Sequence, residues 1–443
     1  MTAKLSLPLN SAMLTKDFIY GVATASFQIE GGADNRLPCI WDTFCNTPNK
    51  VIDGSNGLIA CDHFNLWQQD IALIESLGVD AYRLSISWPR VITKSGELNP
   101  EGVNYYLTIL DALKAKNIKA FVTLYHWDLP QHLEDEGGWL NRETAYKFRD
   151  YADLISQAFG DRVYSYATLN EPFCSSFLGY EIGVHAPGKV GKEFGRKAAH
   201  HLLLAHGLAM AVLAKNSPRS KNGIVLNFTP CYPESDTKAD KKAAEFADDY
   251  FNQWYIKPIY DGEYPSILAQ LPTEHQPDIK DGDMAIISHP TDFLGVNFYT
   301  RAIYRTDEKE HFVQIDPPAP RTDIGWEIYP KALSELLVSL NEKYTLPPIY
   351  ITENGAAIDD KIVEGVIKDT DRIEYYQLHL NAINDAIEHG VDIKGYFAWS
   401  LMDNFEWAEG YLKRFGIVYV DYDSQVRTIK NSGLAYKALI SNR

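Results

Sequence analysis

The chain has 443 residues, 45% hydrophobic and 23% charged, a composition that supplies a large folded core and excludes a disordered or low-complexity protein. Its 42 basic against 59 acidic residues leave a formal net charge of −17, which argues against a nucleic-acid backbone or an anionic membrane as partner. Five cysteines, an odd number with no Cys-x-x-Cys pair, argue against a disulfide framework or a structural zinc site and fit a reducing compartment.

The amino terminus carries no basic segment followed by an apolar run, and no stretch reads as the roughly 18 consecutive apolar residues of a membrane span, so the expected location is the cytoplasm. Residues 18–24 read as a first strand, followed by an irregular section around Trp41-Asp42-Thr43-Phe44. Phe64, Trp67, Ile71 and Ile74 then fall on one helical face, and Gly78 suits that helix's C-terminus. A second strand is expected at 81–87, a helix at 104–116, a third strand at 119–125, a helix near 143–159 and a fourth strand at 165–170. A glycine-rich loop from Gly179 to Gly188 and a helix at 195–215 follow, then strands at 223–227 and 293–299, a helix at 331–344 and the seventh strand at 349–353. Helix 372–389, an eighth strand at 395–400 and a last helix at 428–441 complete the series.

Eight short apolar strands separated mostly by helices predict an α/β fold, a (β/α)8 TIM barrel forming a single domain over residues 1–443 with elaborated βα loops. A doubly wound sheet is the competitor, but no G-x-G-x-x-G turn follows the first strand. In a barrel, functional residues come from the C-terminal ends of strands.

Ile351-Thr352-Glu353-Asn354-Gly355 puts a carboxylate where a buried strand meets a turn dipeptide, and Thr168-Leu169-Asn170-Glu171-Pro172 repeats the arrangement. Either glutamate alone reads as solvation of a strand end; the pair does not. The other strand ends supply Gln28, Arg83, His126 with Trp127, Asn297 with Tyr299, and Trp399 with Glu406 and Trp407. Amides, an imidazole, carboxylates and indoles together suit sugars, whose hydroxyls donate and accept while their C–H faces pack on aromatic rings. Two facing carboxylates are the minimum machinery of glycoside hydrolysis.

These motifs resemble family 1 glycoside hydrolases, the β-glucosidase type, over about residues 17–440. The resemblance is carried by the two glutamate segments, Phe27-Gln28-Ile29-Glu30-Gly31, residues 83–90, residues 126–130 and residues 399–407. It implies a retaining β-glycosidase acting on terminal β-glucosyl, and also galactosyl or fucosyl, residues of glucosides and cello-oligosaccharides, with no cofactor and no metal. It further implies Glu353 as nucleophile and Glu171 as acid/base, about 5–5.5 Å apart. Arg83 and Tyr299 are expected to keep Glu353 ionised and lower its pKa, and Glu353 to raise that of Glu171. Asn170 would bond the sugar 2-hydroxyl; Gln28, His126, Glu406 and Trp407 would hold the non-reducing sugar, and Trp399 would floor it. Trp326 and Phe415 are assigned to the leaving-group side.

Other residues take structural readings. His63, His200, His201 and His206 sit in helical stretches without a ligand spacing, Trp67 and Trp139 read as core, and Glu245 to Asp249 as a solvated helix face. Cys174 lies near Glu171 without a base to activate it. Two alternatives compete with a β-glucosidase. A 6-phospho-β-glycosidase is disfavoured because Glu406 as an anion would repel phosphate, with Lys413 and Arg414 nearby as the counter-argument; a catalytically silent sugar-binding relative is disfavoured by two intact glutamates. A role in cellulose degradation is expected, while transglycosylation and oligomeric state (monomer or homo-oligomer) are open at this level.

Overall fold

The computed structural model describes residues 4–307 and 311–443; residues 1–3 and 308–310 of the predicted 1–443 span lie outside it. Eight parallel strands close a barrel: β1 (Ile19–Ala23), β2 (Ala81–Ser85), β3 (Lys119–Tyr125), β4 (Ser165–Asn170), β5 (Lys221–Phe228), β6 (Phe293–Phe298), β7 (Ile349–Asn354) and β8 (Ile393–Trp399). Each strand pairs with its sequence neighbours and β1 pairs with β8, so all eight expected strands are present and the sheet has no free edge.

The strands alternate between two apolar environments. Tyr20 and Val22 face the surrounding helices, whereas Ile19, Ala81, Phe121, Val225, Phe293, Tyr350 and Phe397 fill the lumen. The aromatic rings there are tightly set, with Phe121 and Phe397 centroids 4.8 Å apart. Gly21 makes room for this layer, because a Cβ at that position would overlap the Phe397 ring. The lumen is therefore packed below its C-terminal rim, and ligand access is confined to the face where the βα loops emerge.

Most of the helices that follow the barrel strands bury one face and leave the other to solvent. α1 (His63–Leu77) buries Ile71, Ile74 and Leu77 and ends where Gly78 turns left-handed at φ 72°. α2 (Pro100–Ala115), α3 (Glu143–Phe159), α4 (Lys192–Asn216), α5 (Lys331–Lys343), α6 (Thr370–Glu388) and α7 (Asn431–Ser441) also belong to the outer layer, with the shorter helices Lys238–Asp248 and Trp254–Tyr260 between β5 and β6. α4 is long and apolar enough by composition to cross a membrane, unlike the sequence-based expectation, but it is largely buried within the protein. Its histidines are structural: His200 bonds Tyr264 and Asp283, His201 the Trp139 carbonyl, and His206 the Thr168 hydroxyl. His63 likewise bonds Asp70 at 2.8 Å. Trp139 is core, as expected, while Trp67 is only half-buried.

Three regions differ from the sequence reading. The irregular section contains a helix, Ile40–Cys45, and the predicted glycine-rich loop starts as a π-helix, Cys174–Glu181. A small sheet of Cys231–Pro233, Ala302–Asp307 and His311–Ile315 stands in the loops after β5 and β6. Its short strands are partly exposed, and their apolar residues stand side by side, as in Ala302-Ile303-Tyr304 and Phe312-Val313, without the alternation of a period of two.

Candidate active site

Glu353 is delivered by an irregular strand. The β7–β6 register slips between Ile351 and Glu353, so that Glu353 comes opposite Asn297, and the β7–β8 register slips in the same place. A bulge of this kind re-aims a side chain, here bringing Thr352 and Glu353 to bear on the residues opposite them. β4 repeats the device: its pairing with β5 slips between Ala167 and Asn170, and Glu171 leaves the strand at φ 46°. A left-handed conformation is uncommon for a glutamate. It is held by the Glu171 N–H donating to the Val225 carbonyl at 2.9 Å.

Asn354-Gly355 is not the turn that its composition suggests. Asn354 ends the strand, and its amide donates to the Phe298 carbonyl at 2.9 Å and to the Tyr375 hydroxyl at 3.1 Å. Gly355 is not left-handed; it is a glycine because a Cβ would run into the Trp399 carbonyl oxygen. Close approach of β7 to β8, not chain reversal, sets that residue.

The polar side chains form one connected network over the packed lumen. Arg83 donates to Glu353 Oε1 at 2.5 Å and to Asn170 Oδ1 at 2.7 Å. The Tyr299 hydroxyl donates to Glu353 Oε2 at 2.6 Å. Asn297 Nδ2 donates to Glu171 Oε1 at 2.6 Å and to Asn170 Oδ1 at 3.0 Å, and its own Oδ1 accepts from Thr352 at 2.7 Å, which fixes the amide's orientation. Asn170 Nδ2 meets His126 Nε2 at 3.0 Å. With Nε2 as acceptor, the His126 proton sits on Nδ1, which has no partner.

Among the buried polar atoms left unpaired in this region are His126 Nδ1, Gln28 Oε1 and Glu406 Oε2. Gln28 spends its amide nitrogen on Asn404 and the Phe405 carbonyl, at 3.0 and 2.8 Å, immediately before Glu406. Buried polar groups are ordinarily satisfied, so a donor, an acceptor and a carboxyl left open together point to a ligand bearing several hydroxyls.

Aromatic side chains enclose the network. Trp407 lies 4.5 Å from both Trp127 and Trp41, and the His126 ring is 5.8 Å from Trp399 and 5.9 Å from Trp407. Trp127 is a wall rather than a donor, because its indole N–H is spent on the Asn170 carbonyl at 2.7 Å. Trp326 is half-buried with its ring 5.3 Å from Tyr299. Phe415 is buried and backs both, at 6.0 Å from each. Two aromatic members of the enclosure were not anticipated: Trp41, and His185, whose ring is 5.6 Å from Trp127. His185 follows Gly183 in the loop after the π-helix, where no periodicity marks it.

The electrostatics separate the carboxyls. Burial, and then the neighbouring Glu353 charge, pushes Glu171 up to about 7, against the pull of Cys174, Asn297 and Arg83. Glu406 rises to about 8, through burial and then Glu353 and Glu171. Glu353 is raised as well, by burial, so the expected lowering by Arg83 and Tyr299 is not met; those groups oppose the shift without overcoming the loss of solvent. Glu353 is nevertheless the member of the pair that bears the charge, because it alone is ion-paired with Arg83, and Glu171 holds the proton. Burial, and then Arg83, keeps His126 neutral. No cluster of three or more His, Cys, Asp or Glu side chains able to hold a metal occurs among the described residues.

The chain matches the model of glycosyl hydrolase family 1 over residues 10–443. It is 46% identical to a β-glucosidase of an Agrobacterium species, covering 97% of this chain and 96% of that protein. It is 42% identical to a bifunctional β-D-glucosidase/β-D-fucosidase of Bifidobacterium breve, covering 96% and 98%. Among solved structures, a β-glucosidase of Thermotoga maritima in complex with deoxynojirimycin superposes with a TM-score of 0.94 at 44% identity, covering 97% and 98%.

Proposed function

The chain belongs to glycosyl hydrolase family 1, a family of retaining glycosidases, and from that premise we propose that it is a β-glucosidase with Glu353 as nucleophile and Glu171 as acid/base. The observation that carries the assignment is the division of donors: Glu353 accepts the guanidinium and a phenol, while Glu171 meets only an amide and a thiol. In the first step the Glu353 carboxylate attacks the anomeric carbon as Glu171 gives its proton to the glycosidic oxygen, releasing the aglycone as an alcohol and leaving a glycosyl ester. The ester removes the negative charge that raises Glu171. Now ionised, Glu171 takes a proton from water, which attacks the anomeric carbon and returns Glu353 as a carboxylate with net retention.

Asn170 supports a second role. Its Oδ1 takes both Arg83 and Asn297, so its amide nitrogen, beside His126, is the atom left for a sugar hydroxyl near the reacting carbon. Gln28 Oε1, His126 Nδ1 and Glu406 Oε2 would meet the remaining hydroxyls of the terminal sugar, with Trp399 and Trp407 against its faces. The bifunctional relative supports acceptance of a fucosyl as well as a glucosyl unit, and a 44% identical 1,4-β-D-glucan glucohydrolase of Thermotoga neapolitana supports cello-oligosaccharides as substrates. Five unpaired thiols support a reducing, cytoplasmic location.

A phosphorylated sugar is not favoured, for a reason other than the one the sequence suggests. Glu406, raised to about 8, is not a fixed anion. The nearby cations are instead committed: Lys413 to Asp323, and Arg414 to Asp403 at 2.7 Å.

The test is turnover of aryl β-glucosides with the product anomer read by proton NMR. Retained β-glucose is expected; no turnover across a panel of sugars, with binding intact, would leave the silent sugar-binding reading in its place. Glu353→Ala should lose hydrolysis and recover turnover with azide, giving the α-glycosyl azide. A β-azide would contradict the role of Glu353.

A further inference from the structure

The mechanism above leaves one neighbour of Glu171 unused. Cys174 begins the π-helix that follows the acid/base, and its N–H donates to the Glu171 carbonyl at 2.9 Å, so the two residues are locked in one turn. Its Sγ lies 3.0 Å from Glu171 Oε2, while Asn297 Nδ2 occupies Oε1. Both side chains are almost wholly excluded from solvent, with Cys174 7% and Glu171 6% exposed. A thiol can serve here only as a donor to the carboxylate or, reversed, as a weak acceptor from the carboxylic acid.

We propose that Cys174 is a positioning residue for the acid/base: its S–H donates to Glu171 Oε2, fixes that side chain opposite Asn297, and favours the carboxylate form that activates water. The proposal rests on the acid/base assignment of Glu171. Burial and the adjoining Glu171 charge hold the thiol far above its ordinary range, so it stays S–H through both steps and is neither nucleophile nor redox group. The contact matters most once the glycosyl ester has formed. Glu171 has then given up its proton to the departing alcohol, and the amide and the thiol are the two side chains that hydrogen-bond its new charge. A group that eases proton loss in this half of the cycle must work slightly against proton retention in the first half. The weakness of S–H donation suits that compromise.

The test compares Cys174→Ala and Cys174→Ser with the wild type in kcat/KM against pH on an aryl β-glucoside, alongside a carbon-13 titration of the Glu171 carboxyl in each protein. Loss of the donor raises the acid's pKa, so the alkaline limb should move up by about half a pH unit in Cys174→Ala. Cys174→Ser restores a donor, a stronger one, and should return the limb to the wild-type position or below it. A fall in thermal stability in either variant does not by itself move the alkaline limb, which separates positioning from packing. Equal shifts in the two variants, or no shift in Cys174→Ala, would overturn the proposal. Glu171→Gln on the same substrate tests the assignment beneath it: an alkaline limb that survives there would remove Glu171 as the acid, whereas the carbon-13 titration still reports whether Cys174 acts on its carboxyl.

Discussion

Tyr299→Phe tests the account of the Glu353 charge most directly. The change deletes one hydroxyl, which donates to Glu353 Oε2 at 2.6 Å, and leaves the Arg83 bond to Oε1 in place. A hydrogen bond to a charged group is worth about 1.5–3 kcal/mol, and one pKa unit corresponds to about 1.4 kcal/mol, so Glu353 should rise by about one to two units. Water entering the space vacated by the hydroxyl would bring the shift to the low end. The sign follows from ionisation: the donor stabilises the carboxylate, its loss favours the acid, and the nucleophile becomes active only at higher pH. The acid limb of kcat/KM should therefore move up by about one unit, while the alkaline limb, set by Glu171, moves less. The assay is kcat/KM against pH on an aryl β-glucoside in both proteins. An acid limb that stays in place while overall activity falls would refute the reasoning, because Tyr299 would then be acting on the substrate and not on the ionisation of Glu353.

Glu171→Gln should reduce glycosylation little for substrates with good leaving groups and heavily for poor ones, since proton donation is needed least in the former; the slope of log kcat/KM against leaving-group pKa is the measurement. Gly355→Ala places a methyl against the Trp399 carbonyl, and should lower stability by at least about 2 kcal/mol in denaturant titrations and remove activity with it. Asp128, held at about 7 by burial, keeps its proton in the fold while the unfolded chain has lost it, so it costs stability increasingly as pH rises from the unfolded value through 7. Asp128→Asn should therefore raise Tm relative to the wild type above neutrality, by an amount equivalent to about 2–4 kcal/mol, and leave it nearly unchanged in acid.

What was legible in the chain is what depends on local pattern. Glu353 and Glu171 could be placed because an apolar run ends at each, and the barrel rule then brings both to one face. Asn297 and Tyr299 were legible for the same reason. The Asn354-Gly355 dipeptide misled because turn statistics see only neighbours, whereas the constraint on Gly355 comes from the Trp399 carbonyl on the next strand. The ionisation of Glu353 differs in a related way: Arg83 and Tyr299 can be named from sequence, but the loss of solvent around the folded carboxylate cannot. His185 and Trp41 were missed because their approach to Trp127 and Trp407 joins separate loops. Cys174 was noticed beside Glu171, yet only the π-helical turn shows its sulfur on the carboxylate.

The same distinction explains why the sugar-holding loop depends on residues far from the pocket. Asp403, just before Asn404-Phe405-Glu406, accepts Lys430 at 2.7 Å and Arg414 at 2.7 Å. Lys430 also reaches Asp360 at 2.5 Å, and Asp360 takes both arms of Arg372, at 2.9 and 2.7 Å. Arg372 in turn bonds Asp369 at 2.5 Å and the Ala356 carbonyl at 3.3 Å, where the chain leaves β7 after Glu353. Three cations meet three carboxylates, so the charges balance, but a balanced buried network contributes little net stability over apolar packing of the same volume. Its value lies in direction: each carboxylate accepts along preferred lines, so the contacts tie the exits of β7 and β8 to one another. That arrangement also orients the Asn404 side chain and Phe405 carbonyl that receive Gln28. The network therefore links the segment leaving Glu353 to the one carrying Glu406. It holds the groups assigned to bond cleavage and those assigned to the sugar hydroxyls in a single frame before substrate arrives.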